Sequence, residues 1–271
     1  MTGDPYDKTF QAIAERLQEL HAAINRVIEA HGKVCSKVKA LDERVSNLET
    51  SIDCLIDDSC YVAGDEVGFN AQLFRKQIFL ELLGSLDFDI IVETGTWTGN
   101  TTGFMAENSG LPVHSVEISE RFHSIARMRL KEVPNIHLYQ GESSEFLQQL
   151  SVNPSLTSQR CFFYLDAHWY DDLPLERELE IISRSWKDFV VMVDDFEVPG
   201  DPDYGFDHYP NGERLDYQTY RKLFDRLDLK AFFPALPGSQ ETGGCRGCVI
   251  LASSGPISER LETLQTLRTH T

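Results

Sequence analysis

Basic residues are scarce in this sequence of 271 residues: 25 Lys and Arg stand against 43 Asp and Glu, a formal net charge of −18. Sequence-independent affinity for nucleic acid comes from Lys and Arg that displace counterions from phosphates, so a chain this acidic is a poor partner for DNA, RNA or an anionic membrane. Long hydrophobic runs are missing as well. No stretch approaches the roughly 20 apolar residues of a bilayer span. The N-terminal Met1-Thr2-Gly3-Asp4-Pro5 carries acid where a signal peptide carries base followed by an apolar segment. A regular cysteine framework is also absent: Cys35, Cys54, Cys60, Cys161, Cys245 and Cys248 are irregularly spaced in a chain too long to need staples. These absences predict a soluble, cytoplasmic protein with reduced thiols. Cys245-Arg246-Gly247-Cys248 is a lone CxxC with no second pair, and it reads as a turn feeding the run Val249-Ile250-Leu251 rather than as a zinc or redox site. What the chain does have is 41% hydrophobic residues, enough for a packed core, which excludes wholesale disorder.

Read at alternating steps of four and three, residues 13 to 55 give Ile13, Leu17, Leu20, Ile24, Val27, His31, Val34, Val38, Leu41, Val45, Leu48, Ile52 and Leu55. A 3.5-residue apolar period sustained this long is a coiled-coil seam, not the broader stripe of a helix packed on a globular core. With Leu17, Ile24, His31, Val38, Val45 and Ile52 at a and leucines collecting at d, the pattern favours a parallel dimer, with a trimer as the alternative. The same register sets Lys37 and Arg44 at g opposite Asp42 and Glu49 at e, both pairs attractive. His31, followed by Gly32, is the weak heptad. The expected organisation is a coiled-coil oligomerisation arm over 1–60, a hinge at 61–68 containing Gly64 and Gly68, and a globular domain over 69–271.

That domain opens with Leu73, Phe74, Ile78, Leu82, Leu83 and Leu86 at helical spacing. Apolar β-rich runs then alternate with helical stretches: Phe88 to Val92, Val113 to Val116, Ile136 to Tyr139, Cys161 to Leu165, Phe189 to Val193, Ala231 to Phe233 and Cys248 to Leu251. Seven strands with intervening helices predict a doubly wound α/β sheet. Ligands bind such sheets outside the carboxyl ends of the strands, so the polar groups following each run carry the functional information.

The first run ends in Glu93-Thr94-Gly95-Thr96-Trp97-Thr98-Gly99-Asn100-Thr101. Two glycines four apart permit a tight turn and close approach of backbone to ligand, with helix N-terminal amides facing it. The pattern is neither the GxGxxG of dinucleotide binders nor a P-loop, since it lacks the phosphate-gripping Lys. Glu93 and Glu117 set acids beside this loop, which repels phosphate and suits hydroxyls or a cationic amino group. Glu117, after the second run, stands where α/β cofactor domains put an acid on ribose hydroxyls. The third run leads into Gly141-Glu142-Ser143-Ser144, where helix capping by a serine is the plain structural alternative.

In order and strand placement these segments resemble the class I S-adenosylmethionine-dependent methyltransferases, over about residues 69 to 252. The resemblance implies a Rossmann-like methyltransferase domain that binds S-adenosylmethionine through Glu93, Gly95, Thr96, Trp97, Gly99 and Thr101 of the first loop, Glu117 at the ribose, and Glu142 and Ser143 beside the adenine.

The fourth run gives Leu165-Asp166-Ala167-His168-Trp169-Tyr170-Asp171-Asp172 and the fifth Val193-Asp194-Asp195-Phe196. Asp166, Asp194 and Asp195 are expected to converge on one rim. No Lys or Arg lies alongside them in the sequence, so a hard cation, Mg²⁺ or another divalent, is expected to neutralise them. The arrangement resembles the metal-dependent O-methyltransferases, the sugar-modifying macrocin and mycinamicin type more than the catechol type. That resemblance implies transfer of a methyl group to a hydroxyl of a sugar or glycosylated small molecule. The departure is His168, which stands where many sugar enzymes have a second Asp. It is two residues from Asp166, and thus on the same face if the strand continues, so it is the leading general base; Asp171, Asp172 and His208 are next in line. The long segment Pro199 to Gly212, rich in turn formers and aromatics, is read as an acceptor wall, and Gly238 to Gly244 as a turn before the last strand. Two other classes stay open: a cofactor-binding relative with another reaction, such as hydroxylation, and a catalytically silent module serving the coiled coil. The clustered acids argue against the silent module. The lack of an obvious His-x-Asp/Glu iron triad argues against the hydroxylase.

Overall fold

A computed structural model describes residues 5–57, 68–168, 173–209 and 212–270. The chain divides into two units, Met1–Asp53 and Cys54–Thr271. Of the sequence expectations, the hinge up to residue 67, Cys60, Trp169 to Asp172, and Pro210 and Asn211 lie outside the described residues, as do the side chains of Ile13, Glu49, Ile52, Cys54 and Leu55.

The N-terminal segment is one continuous helix, α1 (Pro5–Asp57), about 80 Å long at 1.5 Å per residue. Its seam faces solvent. Leu17, Leu20, Val27, Val38 and Leu41 are each at least 60% exposed, an apolar row along one helix.

In the second unit, the described residues after α1 resume with a left-handed turn at Phe69, Asn70 and Ala71 (φ 57°, 54° and 59°). It leads into α2 (Leu73–Ser85). Non-glycine residues pay for that conformation, and Phe69 offsets the cost by being fully buried, edge-to-face with Tyr164 at 5.1 Å and with Phe104 at 5.6 Å. The chain then alternates strand and helix: β1 (Ile90–Thr94), α3 (Asn100–Ser109), β2 (Val113–Glu117), α4 (Glu120–Arg129), β3 (Ile136–Gln140), α5 (Ser143–Ser151), the one-turn α6 (Pro154–Thr157), β4 (Cys161–Leu165), α7 (Leu175–Ser185) and β5 (Phe189–Asp194). It ends with α8 (Tyr217–Arg226), β6 (Leu229–Pro234), β7 (Cys248–Ser253), α9 (Pro256–Leu261) and β8 (Leu267–Thr269).

The sheet order is β3-β2-β1-β4-β5-β7-β6-β8, parallel from β3 to β5 and antiparallel from β7 onward. The seven expected strands are all present within about two residues of their expected ends. The eighth corrects the expected count: Leu267-Arg268-Thr269 carries no apolar run and pairs only along the edge at β6. Both faces of the sheet are covered, so successive residues of a strand feed different cores. In β4, Cys161, Phe163 and Leu165 enter one core while Phe162 and Tyr164 enter the other. Each such fully buried Phe contributes roughly 1.5–3 kcal/mol. That rigid slab carries the loops after β1, β2, β3, β4 and β5 along a single rim. Among the described residues no helix is long and apolar enough to cross a membrane.

Candidate active site

Along the β1 to β3 half of the rim lies a cavity of about 340 Å³, within the range of small-molecule sites. Gly95, Trp97, Glu117, Glu142 and Ser143 line it as expected, joined by Ile118, Phe122, Asp166, Ala167 and Pro174. Gly95 (φ 87°) is required by the backbone, since a Cβ there would lie 2.2 Å from the Asp166 carbonyl oxygen. The glycine therefore lets the β1 loop cross the β4 loop, and a larger residue collides with protein before it reaches any ligand. Trp97 also takes a left-handed φ of 47°. Its backbone N–H donates to Glu117 Oε2 at 2.7 Å, and Ser119 N–H donates to Oε1 at 2.8 Å. Burial pushes the Glu117 carboxyl up, and these backbone donors pull against that shift. The acid is thus pinned facing the cavity with acceptor capacity left for hydroxyls.

Four of the expected cofactor residues lie outside the cavity lining. Glu93 sits inside β1, fully buried, and accepts from the Thr102 and Ser115 hydroxyls at 2.5 Å each. Burial pushes its carboxyl up to about 7. Thr96 joins the same network through Ser115 Oγ at 2.5 Å. Gly99, left-handed at φ 82°, precedes α3 and packs against Leu130. Thr101 accepts the Phe69 N–H at 3.0 Å. These residues brace the loop from behind. At the third loop the N-cap of α5 is Glu142, whose carboxylate accepts Glu145 N–H at 3.0 Å, and neither serine supplies it.

The β4 and β5 half of the rim differs from expectation in its charges. Two guanidinium groups stand beside the three aspartates. Arg75, 1% exposed on α2, donates to Asp194 Oδ1, and the Tyr164 hydroxyl donates to Asp194 Oδ2. Asp195 N–H adds a third bond to Asp194 at 2.6 Å. Burial pushes the Asp194 carboxyl up, but Arg75 beside it prevails and holds it below the ordinary value. Asp194, expected as a metal ligand, thus stands as the buried counter-ion of Arg75, with both oxygens engaged within the protein. Arg246 Nε donates to Asp195 Oδ1 at 2.6 Å, and its Nη2 to Asp207. The CxxC segment is explained by this contact: Cys245 and Cys248 are free thiols, Arg246 reaches the rim, and a Cβ at Gly247 would lie 2.2 Å from the Phe196 carbonyl oxygen.

β4 ends at Leu165, so His168 lies beyond the strand, but its 4% exposed ring turns into the rim. Its Nε2 is 4.0 Å from Asp166 Oδ1 and 3.9 Å from Asp195 Oδ2. Asp166, His168 and Asp195 offer one donor atom each, all within 4.8 Å of one another. Among the described residues, buried Nε2 has no hydrogen-bond partner. Burial lowers the His168 pKa and so favours the neutral ring. Burial and the other aspartates push Asp166 well above, and Asp195 to about 7. Two carboxylates that resist ionisation and one orphaned imidazole nitrogen, aimed at a common point, fit a divalent cation, which would favour both carboxylate anions and give Nε2 its partner. Asp166 borders the cavity as well, so the two halves of the rim meet there. The segment expected as an acceptor wall reaches this corner through Tyr209, whose hydroxyl donates to the His168 carbonyl at 3.5 Å. Glu241 and Thr242, read only as part of a turn, instead cap α2: Leu73 N–H donates to Thr242 Oγ1 at 2.9 Å and Phe74 N–H to Glu241 Oε1 at 3.0 Å.

No protein-family model matches the sequence, and no curated protein matches it. Solved structures do match. An O-methyltransferase from Bacillus cereus in complex with SAH is 19% identical, with a TM-score of 0.51 over 79% of this chain and 97% of that one. The O-methyltransferase TomG from Streptomyces achromogenes, involved in tomaymycin synthesis and solved with SAM, is 21% identical over 67% of this chain and 80% of its own, with a TM-score of 0.48. From the sheet order, the loop placement and the first of these likenesses, the second unit of the chain has the Rossmann-like fold of the S-adenosylmethionine-dependent methyltransferases.

Proposed function

We propose that the chain is an S-adenosylmethionine-dependent O-methyltransferase whose acceptor hydroxyl lies beside a divalent cation held by Asp166, His168 and Asp195. The observation that carries the reading is the buried Nε2 of His168, without a hydrogen-bond partner among the described residues and set between two carboxylates at the edge of the cavity. The cofactor reading is supported by Glu117, held by two backbone amides at the position of a ribose acid, and by the neighbours solved with SAH and SAM. One nitrogen and two oxygen donors suit Mn²⁺ or Fe²⁺ better than the Mg²⁺ expected of an all-oxygen set. When bound there, such a cation lowers the pKa of a coordinated hydroxyl and so supplies the nucleophile at neutral pH. The protein's own contributions are distinct. Glu117 and the β1 loop orient the cofactor, Asp195 is fixed by Arg246, and the Phe206 to Tyr209 segment excludes water and offers rings to a sugar acceptor. His168 then acts as a ligand through Nε2 rather than as the general base, because one lone pair cannot serve both roles. Two carboxylates and one histidine are also the reverse of the two-histidine, one-carboxylate iron triad, which argues against the hydroxylase reading.

The test is methyl transfer from S-adenosylmethionine to a panel of glycosides carrying vicinal hydroxyls, with metal removed and then restored. Activity abolished by EDTA and recovered with Mn²⁺ supports the proposal; undiminished transfer in EDTA removes the metal from it. We further propose that α1 self-associates as a parallel coiled coil, with the exposed seam from Leu17 to Leu48 as the interface and Lys37–Asp42 and Arg44–Glu49 as its flanking pairs. Light scattering should give a dimer or trimer for the full chain and a smaller species for residues 69–271. A monomeric full chain at micromolar concentration would contradict the seam reading.

A further inference from the structure

We propose that Arg75, which lies on α2 and outside every loop that carries the site, is the positioning residue that fixes Asp195 for metal binding; this rests on the metal reading of Asp166, His168 and Asp195.

Asp195 is gripped at two points. Its backbone N–H donates to Asp194 Oδ1 at 2.6 Å, and this bond accompanies the left-handed φ of 53° that follows the end of β5. Its side-chain Oδ1 accepts from Arg246 Nε at 2.6 Å, which leaves Oδ2 directed at His168. One guanidinium stands behind both grips. Arg75 Nη1 donates to the same Asp194 oxygen that accepts the Asp195 N–H, while Nη2 donates to the backbone carbonyls of Arg246 at 2.5 Å and Gly247 at 2.8 Å. The first contact anchors the carboxylate that holds the Asp195 backbone. The second anchors the loop that delivers Arg246 to the Asp195 side chain. That loop has little freedom of its own, because Gly247 is pressed against the Phe196 carbonyl.

Arg75 is in turn held by the loop it holds. The first amides of α2 are capped by Thr242 and Glu241, and Gln72 Nε2 donates to the Arg246 carbonyl at 2.7 Å. The fork geometry of a guanidinium is what allows one side chain to reach a carboxylate and two carbonyls together. A lysine ammonium keeps the charge but is a single point, so it cannot span both anchors.

A merely structural cation and a positioning residue differ in what their loss disturbs. Loss of a structural cation lowers stability and weakens every ligand together. Loss of a positioning residue weakens the metal while sparing the cofactor cavity, most of whose lining follows β1 to β3. The experiment uses the full chain and Mn²⁺, followed by electron paramagnetic resonance, with S-adenosylmethionine affinity measured in parallel by calorimetry. R75K is the first variant. R75M/D194N, which removes both charges of the pair, is the second and carries the test if R75K does not fold. The inference expects Mn²⁺ affinity to fall at least tenfold and the spectrum of bound Mn²⁺ to change, with S-adenosylmethionine affinity within twofold of the parent chain. A folded variant whose Mn²⁺ affinity stays within twofold overturns the role of Arg75 and leaves the metal site standing. A parent chain that binds S-adenosylmethionine but no Mn²⁺ overturns the metal reading and this inference with it. Failure of both variants to fold, or equal weakening of metal and cofactor, overturns the positioning role in favour of a structural one.

Discussion

At the ends of β1 and β2 the buried acids are held by hydroxyls and backbone amides, whereas at the end of β5 they are held by guanidinium groups. Glu93 takes Thr102 and Ser115, and Glu117 takes the amides of Trp97 and Ser119. Asp194 and Asp195 take Arg75 and Arg246. Neutral donors leave an acid with spare lone pairs and no counter-charge, which suits the recognition of ribose hydroxyls. Arg75 and the Tyr164 hydroxyl together occupy both oxygens of Asp194, and Arg246 takes one oxygen of Asp195, which leaves the other beside His168 Nε2.

The comparison breaks most visibly at Asp194. Removing one partner of a buried ion pair leaves an uncompensated charge, so D194A should lose about 3–5 kcal/mol in denaturant unfolding. A loss under about 1 kcal/mol would mean that Arg75 finds another partner or solvent. Next is Gly95, where a side chain meets both a left-handed backbone and the Asp166 carbonyl. G95V should lose about 1–3 kcal/mol in the same measurement and should also lose cofactor binding, since the loop lining the cavity must move. Unchanged unfolding would show that the β1 and β4 loops separate freely. Third, E117A should weaken S-adenosylmethionine about tenfold, or about 1.4 kcal/mol, with little change in Mn²⁺ affinity. Equal weakening of both ligands would merge the two halves of the rim into one site.

A pH dependence distinguishes how the two halves handle charge. Burial raises Glu93 from the ordinary 4.5 to about 7, so the folded chain keeps a proton that the unfolded chain releases. Its contribution to stability is therefore full below the unfolded value and is lost as pH rises through that interval, levelling off above about 7. E93Q cannot titrate, so its melting temperature relative to the parent chain should rise between pH 4.5 and 7. A constant difference across that window would mean that the Thr102 and Ser115 hydroxyls hold Glu93 ionised.

This contrast also explains which features could be read from the sequence. The strands were legible because apolar runs and turn residues are local signals, and the cofactor loops because their partners lie close along the chain: Trp97 and Glu117 are twenty residues apart. β8 was not, as three residues of mixed character become a strand only by pairing with β6. The acids after β4 and β5 were legible as a cluster. Their counter-ions were not, because Arg75 is 119 residues from Asp194 and Arg246 is 51 from Asp195. The neutral donors of Glu93 and the two arginines are matters of tertiary packing, so the expected ligand set contained Asp194 where the structure brings His168. The one local hint was Cys245-Arg246-Gly247-Cys248, an arginine beside a glycine at a strand entrance, which a reading for thiol chemistry passes over.

The most direct test of the two-ligand rim is calorimetric titration of the full chain with S-adenosylmethionine and, separately, with Mn²⁺, repeated on D195N. The account predicts that S-adenosylmethionine binds both proteins alike, while Mn²⁺ binds the parent chain one to one and D195N at least tenfold more weakly. No heat with millimolar S-adenosylmethionine, or Mn²⁺ bound equally by both proteins, would contradict it.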